Sequence, residues 1–124
     1  MFDVTNKTKG KIPYLPFCNI KNFVVGNKYE LSLVFIGDIY SQTLNRKYRH
    51  IDKPTGILSF YLNENSGEIF INLNRAKKEA LRFNKNTKNF VGFLFIHSLL
   101  HLKDYSHGSI MEQEEKRLCK KFNI

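Results

Sequence analysis

Three of the four histidines in this chain, His97, His101 and His107, fall within eleven residues at the end of the apolar run FVGFLFIHSLLHL. If Phe90 to Leu102 forms a helix, His97 and His101 stand four residues apart and lie one above the other on a single face. His107 is six residues further on and cannot share that face. The chain must therefore leave the helix around Lys103 to Tyr105 and fold back, and Asp104 suits that turn because aspartate tolerates left-handed backbone geometry. Two imidazoles fixed on a helix and a third delivered by a turn make three corners of a tetrahedron around a divalent ion, for which zinc is the natural occupant. Three protein ligands leave the fourth position to water, as in catalytic zinc sites, and zinc brings the pKa of that water to about 7. The expectation is one Zn2+ per chain and hydrolytic chemistry.

The plainer reading is three hydrogen-bonded core histidines. Two imidazoles on a helix that is apolar all round would be costly to bury without partners, which favours the metal. The same spacing occurs in zinc proteases of the metzincin type, which need Glu after the first histidine as general base. Here that residue is Ser98, which is neutral and cannot take a proton from water at pH 7. A peptidase is therefore disfavoured, and a phosphodiester suits zinc assisted by a cation.

At 124 residues and 42% hydrophobic, residues 1–124 should form one domain with a real core. Twenty Lys and Arg against eleven Asp and Glu give a net charge of +9, which points to an anionic partner, nucleic acid or an acidic membrane surface, although a basic solvated face alone would look similar. The first residues, MFDVTNKTKGK, contain no apolar signal region, and no apolar run is long enough to span a membrane. Cys18 and Cys119 form no C-x-x-C pair. The expectation is a cytoplasmic protein without a membrane partner.

The elements that must position the histidines follow from pattern. Residues 1 to 16 read as an extended lead-in beginning with a short strand, and Phe17 to Val25 as a short helix ended by Gly26. Tyr29 to Ile36 reads as a strand near the sheet centre, with Asp38 capping a helix to about Tyr48. Asp52 to Thr55 forms a turn, and Gly56 to Leu62 and Glu68 to Asn72 form a hairpin around a turn from Asn63 to Gly67. Asn74 to about Lys85 should be an amphipathic helix with Ala76, Ala80 and Phe83 on one face and Lys78, Arg82 and Lys85 on another. After the histidine helix, Ser109 to Phe122 should pack through Ile110, Leu118 and Phe122, with early Glu and late Lys and Arg matching the helix dipole. The fold class is α+β: a small mixed β-sheet layered with helices, the penultimate helix carrying the metal cleft.

The histidine stretch, His97-Ser98-Leu99-Leu100-His101-Leu102-Lys103-Asp104-Tyr105-Ser106-His107, resembles the motif H-G-x-L-H-L-x-G-Y-D-H of the YbeY family of bacterial rRNA maturation factors. A second signature agrees: Leu44-Asn45-Arg46-Lys47-Tyr48-Arg49, then Asp52-Lys53-Pro54-Thr55, then Ile57-Leu58-Ser59-Phe60, with Gly67-Glu68-Ile69 and Arg75-Ala76-Lys77 following. The resemblance covers roughly residues 29 to 120. It implies a single-strand-directed, metal-dependent endoribonuclease active in small-subunit (16S) rRNA 3′-end maturation and ribosome quality control. Zinc would sit on His97, His101 and His107, and the family's functional arginine falls on Arg49. Arg46, Lys53, Lys78 and Arg82 are candidate RNA contacts, against the alternative that they form a solvated basic surface. The implied partners are rRNA or other single-stranded RNA, the small ribosomal subunit, a ribosomal protein and an assembly GTPase. Ser98 and Asp104 stand where the family has glycine, and Ser106 where it has aspartate, so a carboxylate beside the last ligand is missing.

Two other readings stay open. One is a zinc-holding, non-catalytic rRNA or ribosome-assembly factor. The other is a metal-dependent hydrolase of a small phosphoester or amide. RNA scission separates the first from the leading reading, and turnover of a small substrate without RNA affinity would single out the second.

Overall fold

The computed structural model describes residues 1–124. Four strands, β1 (Phe2–Asn6), β2 (Glu30–Ile36), β3 (Ile57–Asn63) and β4 (Ser66–Asn72), form one mixed sheet in the order β1-β2-β4-β3. β1 and β4 both run parallel to β2, while β3 pairs antiparallel with β4. Five helices accompany the sheet: α1 (Phe17–Val25), α2 (Asp38–Tyr48), α3 (Leu73–Arg82), α4 (Thr87–Leu102) and α5 (Ser109–Lys121). The expected α+β class and the place of the histidines on the penultimate helix are therefore observed.

β2 shows why the sheet has two covered faces. Its side chains alternate sides. Leu31, Leu33 and Phe35 enter a core of 23 buried residues with α1, α3, α4 and α5, while Val34 and Ile36 join Leu58 and Phe70 in a smaller cluster next to Leu44 of α2. A helix apolar on all sides has to be enclosed. α4 is such a helix: Val91, Phe95, Ile96 and Leu99 are fully buried, and truncating a residue such as Phe95 to Ala would cost about 3–5 kcal/mol. Its C-terminal end is seated by Gly67 of β4. A side chain at Gly67 would meet the Tyr29 hydroxyl at 2.7 Å and the Leu102 methyls at 3.0 Å, so the close approach requires glycine.

Several local expectations shift. Asp38 does not cap α2; Gly37 occupies that position, and the Asp38 carboxylate accepts instead from Asn72 (2.8 Å) and Asn74 (2.5 Å), two side chains absent from the local pattern. The hairpin turn is tighter than expected, because Asn63 pairs with Ser66 and β4 begins there. Phe83 lies beyond the last turn of α3, is 62% exposed and stacks on Phe90 at 5.4 Å rather than entering the core. α4 starts at Thr87, where the Asn86 side chain accepts the Asn89 amide at 2.7 Å. Ile110 is 73% exposed and Met111, at 1%, is buried instead: the inward row of α5 is Met111, Glu115 and Leu118, with Phe122 also against the core, so Leu118 and Phe122 pack as expected and Ile110 does not.

Candidate metal centre

His97 and His101 lie on the half-exposed side of α4 with their rings 4.6 Å apart, centre to centre. After Leu102 the chain turns through Lys103 and Asp104, whose φ of 68° is the left-handed geometry expected of it. Gly108, with φ of 153°, then opens α5. Between them His107 returns to within 4.6 Å of the His101 ring and 5.3 Å of the His97 ring. One ligand nitrogen from each of the three lies within 4.8 Å of the others. The loop from Lys103 to Ile110 lines a cavity of about 580 Å³ that includes His107.

The hydrogen bonds decide which nitrogens face inward. The His101 Nδ1 lies 3.2 Å from the Tyr105 backbone carbonyl, which can only accept, so Nδ1 carries the proton and Nε2 carries the lone pair. The His97 Nδ1 lies 2.5 Å from Oε2 of Glu115, which imposes the same tautomer. The two Nε2 atoms are then both acceptors, yet they stand 3.1 Å apart. Two facing lone pairs at that distance repel unless a cation lies between them. Nitrogens about 2.0–2.1 Å from a tetrahedral zinc would be about 3.3 Å from each other, so the donor set fits such an ion. Burial, followed by the nearby His97 and His107, lowers the pKa of His101, which keeps its ring a neutral donor.

Glu115 escaped the sequence reading. It is 7% exposed and is the acidic member of the buried row Met111, Glu115, Leu118. A carboxylate in the apolar stripe of an amphipathic helix was the available signal, hidden by the choice of Ile110 over Met111 as the first buried residue and by the acidic residues around it. Ser98 is buried at 1% exposure and is not presented to the cleft where a metzincin base would stand.

The second signature occupies the end of α2 and the loop after it. Ser41 Oγ donates to the Thr55 carbonyl and accepts the Thr55 amide, both at 3.0 Å. Asn45 Nδ2 donates to the Lys53 carbonyl at 2.9 Å and to Thr55 Oγ1 at 3.1 Å. Arg46 Nε and Gln42 Nε2 donate to the same Asp52 oxygen, at 2.9 and 3.0 Å. Arg49 follows the last turn; its Nη2 donates to the Ser59 carbonyl on β3 at 2.8 Å, and its guanidinium lies 4.8 Å from the Phe60 ring. Lys53 is exposed in the loop, and Lys78 and Arg82 are exposed on α3. The structure thus brings the three histidines together, with no hydrogen bond or ion pair linking the other candidates to them.

Comparison with known proteins agrees with this layout. A Thermotoga maritima protein of known solution structure superposes with a TM-score of 0.71 over 98% of this chain and 89% of its own, at 23% identity, which establishes the fold. Endoribonuclease YbeY of Pelotomaculum thermopropionicum is 31% identical over 115 residues, covering 80% of this chain and 76% of that protein. Its counterpart in Halalkalibacterium halodurans is 36% identical over 106 residues, covering 73% and 65%. The relative from Mycoplasma mycoides subsp. mycoides is matched over 54% of its length. The profile of the family described as Endoribonuclease YbeY matches residues 15–123. That span takes in every element from α1 to α5, all three clustered histidines and Arg49, and the chain therefore belongs to the YbeY family.

Proposed function

We propose that this protein is a metal-dependent endoribonuclease that cuts single-stranded RNA and acts in 16S rRNA 3′-end maturation and ribosome quality control. The observation that carries the chemistry is the pair of Nε2 lone pairs 3.1 Å apart, each oriented by a hydrogen bond on the far side of its ring. Family membership carries the substrate class. Zinc held by His97, His101 and His107 would supply Lewis acidity and a means of activating water at neutral pH.

The chain's own residues supply orientation and charge. Glu115 holds the His97 ring, the Tyr105 carbonyl holds the His101 ring, and α4 fixes both by packing. Arg49 spends one nitrogen on Ser59 and keeps donors that suit charge developing on phosphoryl oxygens. The natural partners of such an enzyme are rRNA and the small ribosomal subunit, with a ribosomal protein and an assembly GTPase at the same site of action in the cytoplasm.

One observation favours the rival reading of a zinc-holding assembly factor. The carboxylate bonded to the cluster, Glu115, is already committed to His97, and Ser98 and Ser106 provide no other base. Cleavage of an end-labelled single-stranded RNA by wild type, beside His101→Ala prepared identically, decides between them. Cleavage by wild type alone, stopped by chelation, is the expected result. A wild type that holds stoichiometric zinc and cuts nothing would hand the function to the assembly factor.

A further inference from the structure

The largest cleft in the molecule lies away from the histidines, beside the outer surface of α2. It measures about 880 Å³ and is lined by Lys7, Tyr40, Lys47 and Tyr48, with Gly37 to Ile39, Thr43 and Leu44 completing its walls. The helix explains the arrangement. Ser41 and Asn45 turn inward to hold the loop after α2, so the rows Ile39, Thr43, Lys47 and Tyr40, Leu44, Tyr48 share a neighbouring face at i, i+4 spacing. Ile39 is 84% exposed, Tyr48 51% and Tyr40 41%.

Both tyrosines are backed by the sheet. Tyr40 stacks on Phe70 at 6.2 Å, Tyr48 meets Phe60 edge-on at 5.4 Å, and Phe60 meets Phe70 at 5.8 Å. They are therefore fixed platforms. Each carries a cation: Lys7 Nζ lies 5.7 Å from the Tyr40 ring and Lys47 Nζ 5.1 Å from the Tyr48 ring. Neither lysine has a carboxylate partner. The one acid on the cleft wall, Asp38, accepts from Asn72 and Asn74, which with Lys78 and Arg75 lower its pKa and keep it ionised, so the wall carries two lysines against one carboxylate. The cleft thus presents unpaired positive charge beside aromatic rings, the combination that binds single-stranded nucleic acid through phosphates and stacked bases.

The surface also runs up to Arg49, the residue proposed to act on the phosphoryl oxygens. Arg49 follows Tyr48 in the chain, and its guanidinium covers the same Phe60 ring that Tyr48 touches. Tyr40 and Tyr48 are eight residues apart on α2, about 12 Å along its axis, a separation that a few nucleotides of extended strand bridge. We propose that this cleft binds the single-stranded RNA flanking the scissile bond, its bases stacking on Tyr40 and Tyr48 and its phosphates meeting Lys7 and Lys47. The inference takes its substrate from the endoribonuclease reading and adds to it a second contact surface that sets how much strand the protein holds.

The test is fluorescence anisotropy with two labelled single-stranded RNAs, a dodecanucleotide and a dinucleotide, on wild type and on the double variant Lys7→Gln, Lys47→Gln. Both lysines are exposed, so the variant retains the fold. The dodecanucleotide should bind the variant about tenfold more weakly, with its log-affinity against log-salt slope reduced by about 1.4, or about 0.7 per lysine. The dinucleotide, too short to bridge Tyr40 and Tyr48, should be unaffected. Tyr40→Leu should weaken the dodecanucleotide alone, without changing the salt slope. Unchanged dodecanucleotide binding in all variants, as expected of a surface reserved for a protein partner, would overturn the proposal. So would an equal loss on both RNAs. Scission is scored separately with zinc present: a wild type that cuts RNA while the variants bind normally loses only the cleft, whereas length-dependent loss of binding without scission keeps the cleft and loses the nuclease.

Discussion

Between His97 and His107 the polar side chains point at one another without satisfying one another, whereas between Ser41 and Thr55 they satisfy one another almost completely. In the first stretch two imidazole Nε2 atoms meet at 3.1 Å, each ring bonded through its far nitrogen to an acceptor. In the second, Ser41, Asn45 and Thr55 close a set of hydrogen bonds, and Arg46 and Gln42 converge on Asp52. Two neutral imidazole nitrogens that face each other repel, so this half-exposed cluster marks a place where a cation can bind. A completed cluster marks a joint. The second signature is thus mostly a clamp that fixes the end of α2 and so delivers Arg49 to β3.

Variants should separate the two. The largest effect is expected from His107→Ala, which should abolish stoichiometric zinc binding, read by metal analysis of the purified protein, while leaving the urea midpoint in place, because His107 is exposed. A large loss of stability would make the cluster a joint as well. Arg49→Ala comes next, with scission reduced roughly 100- to 1000-fold, as for loss of a transition-state donor, and zinc content unchanged. Glu115→Gln should weaken zinc affinity by about 10- to 100-fold in a chelator competition, because the ring of His97 loses its carboxylate partner. Smallest in function and opposite in kind is Asn45→Ala: it should cost about 1–3 kcal/mol by urea denaturation, through the groups left unpaired, and leave zinc affinity unaltered. Zinc loss in Asn45→Ala would blur the distinction.

The parts legible in the sequence are those set by short-range pattern. The spacing of His97, His101 and His107, the turn at Asp104 and the alternation along β2 each depend on residues close in the chain, and each is found. The parts missed depend on partners far away in sequence. Asp38 resembles a helix cap until Asn72 and Asn74 are seen beside it. Glu115 resembles one more early helix acid until Met111 rather than Ile110 is seen to be buried and the carboxylate meets His97, eighteen positions upstream. Phe83 carries the right apolar character but falls just past the last turn of α3, where the chain has already left the core.

The account rests on an open three-histidine centre, and X-ray absorption at the zinc edge of protein loaded with one equivalent of metal tests it most directly. It predicts three imidazole nitrogens and a lighter oxygen ligand at about 2.0–2.1 Å, with no sulfur. A sulfur shell near 2.3 Å, from Cys18 or Cys119, or fewer than three imidazoles would contradict it.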